Sequence, residues 1–174
     1  MKKSDSLFFE LSKAELIILF VYYTIILIAG GVTSIITLCQ FEEEISHKQL
    51  IIKTIISSLS ISGMLCSIQY IKRLYKACIT NRIIAKTTFA GHIGTLVYFL
   101  LRPLYAFSFV IVMVFAILSG LFVVTGNLDY IINEKFLYLC VILSSFIGYS
   151  VGHLLDKFEK LSKEKIDKII KEKG

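Results

Sequence analysis

The sequence predicts an all-α polytopic membrane protein with four transmembrane helices and a charged C-terminal helix extending from the fourth. Three observations predict it. Hydrophobic residues make up 56% of the 174 residues and charged residues only 18%, too little charge for a water-soluble domain of this size. Apolar runs of about twenty residues recur, the length that crosses a bilayer as a helix. The basic residues are also sorted along the chain. The amino terminus, the 72–102 connection and the tail hold all but Lys48, Lys53 and Lys135 of the 19 Lys and Arg. The positive-inside rule then places both termini in the cytoplasm.

The spans are expected at 16–39, 51–71, 104–124 and 136–155, making residues 1–155 one transmembrane domain and 156–174 a cytoplasmic tail. The first run is too long for a signal-peptide core and lacks a small-residue cleavage pattern, so it reads as a retained span. It contains Gly30-Gly31, which in a membrane helix marks close packing. The acidic triplet Glu42, Glu43 and Glu44 follows, a solvated loop or an anionic ring at an outer mouth.

The second span carries Ser57, Ser58, Ser60, Ser62 and Ser67 with Gly63 and Gln69. Hydroxyls on a span bond backbone carbonyls or a neighbouring helix, so this span is expected to face protein. A serine-lined aqueous path is the sharper alternative. Lys72, Arg73, Lys76, Arg82 and Lys86 come next with no acid among them.

Residues 87–101 are apolar but too short to span, and Arg102-Pro103 ends them. Such a segment is interfacial, re-entrant or an extension of the following helix. Gly91 and Gly94 point to close backbone contact there. Pro103 suits the start of the third span. A turn at Gly126, Asn127 and Asp129 precedes the fourth.

Around the run 136–173 the rest of the chain is expected to organise. Ser144, Gly148 and Gly152 recur every four residues and so share one face, which lets two helix backbones approach closely in lipid. This face is expected to pack helices and to join copies of the chain. No Pro or Gly separates the span from its charged sequel, so one rod leaves the membrane. In the tail, Phe158, Leu161 and neighbouring apolar residues form a stripe among Lys157, Lys160 and further lysines, with five acids interspersed. A basic amphipathic helix can lie on anionic lipid, whereas mixed charge favours a protein partner. Lys72, Arg73, Lys76, Arg82, Lys86, Arg102, Lys157, Lys160, Phe158 and Leu161 are therefore the expected partner- or lipid-binding cytoplasmic surface.

No catalytic constellation, metal site or cofactor is expected. His47, His92 and His153 lie on three segments without ligand spacing, and no Walker, GxSxG or GxGxxG motif is present. The spans carry no mid-depth Asp or Glu, which argues against a proton-coupled pump or a carboxylate-lined cation pore. Cys39, Cys66, Cys78 and Cys140 have no CxxC spacing and read as small packing residues. The net charge of +6 is accounted for by the inner-leaflet bias, so direct nucleic-acid binding is not expected.

Three short motifs carry a family likeness: Leu100-Leu101-Arg102-Pro103-Leu104-Tyr105-Ala106, Ser119-Gly120, and Phe146-Ile147-Gly148-Tyr149-Ser150. With the four-span layout and charged tail, they resemble KwaA, the family of membrane subunits of the two-component Kiwa anti-phage defence system. The resemblance implies a homo-oligomeric, tetrameric protein of the bacterial inner membrane. It further implies a sensor of phage attack that binds a soluble cytoplasmic DNA-binding effector, and no catalytic residues. The competing class is a pore or channel acting as a membrane-disrupting effector.

Overall fold

The computed structural model describes residues 12–39, 46–79, 89–125 and 133–173. Five helices follow in order: α1 Lys13–Cys39, α2 His47–Ile79, α3 Phe89–Leu100, α4 Arg102–Thr125 and α5 Glu134–Lys173. Among the described residues there is no strand. Among the described residues, four stretches are long and apolar enough to cross a membrane: Lys13–Cys39, His47–Lys76, Leu96–Gly120 and Glu134–Leu155.

Side chains fix the starts of three helices. Ser12 and Glu15 form a capping box, with Glu15 Oε2 accepting from the Ser12 amide at 2.6 Å and Ser12 Oγ accepting from the Glu15 amide at 3.3 Å. At α2 the Gln49 side-chain oxygen accepts from the Ser46 amide at 3.1 Å. At α5 Asn133 Oδ1 accepts from the Phe136 amide at 3.1 Å.

The serine-rich α2 lies at the centre, packed against α1, α4 and α5. Its Thr54, Ser57, Ser58, Ser62, Ser67 and Gln69 are all buried, so this span does face protein. Two of its hydroxyls turn back on the helix: Thr54 donates to the Leu50 carbonyl and Ser67 to that of Gly63, each at 2.8 Å. Ser57 reaches across instead, donating to Thr37 of α1 at 2.9 Å.

Glycines set how closely the neighbours approach α2. A Cβ at Gly30 of α1 would lie 2.7 Å from the Ser60 carbonyl oxygen. A Cβ at Gly148 of α5 would overlap the Ser62 backbone. From α4, Phe107 fills the space over Gly63, where a Cβ would meet its ring at 2.9 Å. Backbone-to-backbone contact is how helices associate where lipid is as apolar as leucine.

Three expectations are corrected. The Ser144/Gly148/Gly152 face packs, with Ser144 fully buried, but its partner is α2 of the same chain rather than a second copy. The bundle is accordingly organised around α2, not α5. Gly94 has open space where a Cβ would stand, so it marks no close backbone contact. The third apolar rod begins at Leu96 instead of Leu104, because 89–100 extends the following helix.

Candidate functional site

Pro103 lies inside the rod formed by α3 and α4. The helical ladder runs through the junction, with Leu101 N–H donating to Val97 at 3.0 Å and Tyr105 N–H to Leu101 at 3.1 Å. Proline has no N–H, so the carbonyl four residues earlier, on Phe99, loses its helical donor. In lipid an unsatisfied carbonyl must find another partner. The Tyr23 hydroxyl of α1 supplies it, donating to the Phe99 oxygen at 2.5 Å, and Tyr22 donates to the Leu100 oxygen at 3.1 Å. Two adjacent tyrosines on one helix thus cap the kink of another.

An aromatic cluster grows from this junction. Tyr23 stacks on Tyr70 of α2 with ring centroids 5.3 Å apart and planes 10° from parallel. Tyr70 meets Phe99 edge-on at 6.1 Å, and Phe99 meets Tyr98 edge-on at 5.3 Å. Leu16 and Leu19 of α1, Cys66 and Leu74 of α2, Ala106 of α4 and Val151 of α5 complete this core.

Two arginines enter it. Arg102, at the kink, is only 2% exposed. Its guanidinium carbon sits 4.1 Å from the Tyr98 ring centroid and 6.0 Å from that of Tyr70. Arg73 approaches the Tyr70 ring from α2, its guanidinium carbon 5.5 Å from the centroid. Both converge on Gly152 of α5: a Cβ there would lie 3.8 Å from Nη1 of each arginine and 3.3 Å from the Tyr70 hydroxyl. Nε and Nη1 of Arg102 meet no hydrogen-bond acceptor among the described residues. A buried guanidinium with two nitrogens lacking an acceptor is costly, which makes this the most distinctive chemistry in the bundle.

The expected basic surface therefore divides. Lys72, Lys76 and Lys157 are exposed, and Leu161 is 55% exposed beyond the bundle. Arg73 is half-buried, and Arg102 turns into the core rather than toward lipid phosphate at the surface. Arg82, Lys86 and the Glu42–Glu44 triplet lie outside the described residues, as do the side chains of Phe158 and Lys160. Tyr22, Tyr23 and Tyr70 were missed in the sequence, although Pro103 announced a carbonyl in need of a donor.

Among the described residues no group of three His, Cys, Asp or Glu side chains could hold a metal ion. Cys39, Cys66 and Cys140 are free thiols. No family model, no curated protein and no solved structure matches this chain.

Proposed function

We propose that this protein is a non-enzymatic sensor and scaffold of the bacterial inner membrane, acting in anti-phage defence with both termini in the cytoplasm. It works as a homo-oligomer, a tetramer on the family resemblance, that holds a soluble KwaB-like effector. The observation that carries the reading is α5. A single 40-residue helix is clamped to α2 within the bundle and continues beyond it to the exposed Lys157 and Leu161.

A rod of this kind links packing among the spans to a surface outside them. Disturbance of the bilayer or of the outer face shifts the packing of α5 on α2, and the shift reaches the bound effector. The effector must bind the two packings with different affinity for this to act as a switch. Affinity purification from native membranes is expected to return a stoichiometric soluble protein encoded beside this gene. Its release by Leu161→Glu with Lys157→Glu would place the contact on the tail. Recovery of no soluble partner would refute the reading.

A second reading, a pore or channel, draws support from the polar lane on α2, where the Ser58 and Ser62 hydroxyls and Gln69 Oε1 are buried without hydrogen-bond partners. Ion flux in liposomes separates the two readings: a robust conductance from the purified chain alone favours the pore.

A further inference from the structure

We propose that Arg102 and Arg73 form a binding site for a phosphate group beside Gly152, where α2, α5 and the α3–α4 junction meet. Arg102 is almost fully buried, yet two of its guanidinium nitrogens have no acceptor among the described residues. A second guanidinium, on Arg73, points at the same place, each Nη1 standing 3.8 Å from the position a Gly152 Cβ would take. Two like charges brought together in a low-dielectric core repel, and each pays desolvation; an anion between them reverses both effects. Guanidinium forks match the paired oxygens of phosphate in geometry as well as charge.

The surroundings suit such a ligand. Tyr98 and Tyr70 place their rings under the Arg102 guanidinium carbon, at 4.1 and 6.0 Å, contacts that take none of its N–H donors to an oxygen acceptor. The tyrosine pair on the Phe99 and Leu100 carbonyls fixes the backbone at the kink from which Arg102 projects. Gly152 is itself buried and places no side chain against the two Nη1 atoms, and Arg73 is only half-buried. The chemistry is shared by a phospholipid headgroup and by a soluble phosphate, and the experiment separates them.

Purified protein in detergent and phosphate-free buffer is titrated separately with phosphatidylglycerol and with sodium phosphate, with diacylglycerol as the lipid lacking phosphate. Tm is read in each case. Native mass spectrometry of the same preparations detects phospholipid carried through purification. At about a hundredfold excess over Kd, mass action predicts a Tm rise of roughly 5–10 °C. The expected result is such a rise, or a retained phospholipid, that is lost in Arg102→Gln and weakened at least about tenfold in affinity in Arg73→Gln and Gly152→Ala. A response to lipid alone assigns the headgroup as ligand; a response to phosphate alone assigns the soluble anion.

Gly152→Ala keeps the test open if Arg102→Gln fails to fold, because its methyl would stand 3.8 Å from each arginine Nη1 and only the Tyr70 hydroxyl, at 3.3 Å, must give by a few tenths of an ångström. Asp156, one helical turn beyond Gly152 in the sequence, supplies the competing explanation. If Asp156→Asn lowers Tm as much as Arg102→Gln, with neither ligand response nor retained phospholipid, the arginine pairs within the chain and the proposal is overturned. No rise and no retained phospholipid in the wild type, or a response undiminished in the variants, overturns it as well.

Discussion

Two regions of this bundle are held together by opposite means. At its middle, where Gly30 meets Ser60, Gly148 meets Ser62 and Phe107 covers Gly63, helices approach because side chains are absent. At the kinked end, the contacts are made by large side chains: Tyr22, Tyr23, Tyr70, Phe99 and Arg102. The difference follows from the medium. Burying an apolar side chain gains little when the alternative is lipid, so the middle relies on close van der Waals fit. At the α3–α4 junction Pro103 removes one bond of the helical ladder, and polar satisfaction becomes the governing requirement.

The comparison is broken most forcefully at Gly148. Gly148→Leu drives a side chain into the Ser62 backbone, and neither helix can yield without separating, so a loss of about 3 kcal/mol or more is expected. Thermal or SDS unfolding in lipid micelles checks it; a wild-type midpoint would mean that α5 does not pack on α2 through this face. Gly30→Leu is expected to follow closely, against the Ser60 carbonyl.

A smaller effect is expected at the kink. Tyr23→Phe leaves the Phe99 carbonyl without its donor and should lower stability by about 1–2 kcal/mol. The mechanism is tested by a double-mutant cycle with Pro103→Ala, which restores the missing N–H. In that background Tyr23→Phe should cost less than half as much, and full additivity would show that the tyrosine serves another purpose. Tyr22→Phe is expected to cost only about 0.5 kcal/mol, since the Leu100 carbonyl has a helical donor position occupied by Leu104 rather than by proline. The smallest change belongs to Gly120→Ala. Nothing lies within 4 Å of the new methyl, so stability should stay level or rise by up to about 1 kcal/mol from helix propensity. A marked loss there, with a change of oligomer size by light scattering, would reveal a contact between copies of the chain.

Much of the architecture was legible without coordinates. Twenty-residue apolar runs locate spans because no other regular element satisfies its own backbone across lipid, and three of the four spans lie where expected, their ends shifted by a few residues. The fact that α2 faces protein was legible from its serines. The extent of the third rod was not, because a proline after a short apolar segment reads equally as a start or as a kink. The candidate site was legible only in part. Arg102 and Arg73 stood out as charges at the end of apolar runs, but as surface groups. Their convergence depends on α2, α5 and the kink meeting at one level, which no local pattern encodes.

The sequence by itself determined the all-helical class, the four membrane-length rods and the small-residue face of the fourth. Each of these follows from hydrophobic length and helical period, which are local properties. Only the tertiary structure decided that this face belongs to α2 of the same chain, that Tyr23 completes the ladder Pro103 interrupts, and that Arg102 turns inward. These are pairings between residues far apart in the chain. In lipid, where apolar faces are interchangeable, the partner is chosen by fit and by unsatisfied polar groups rather than by hydrophobic pattern.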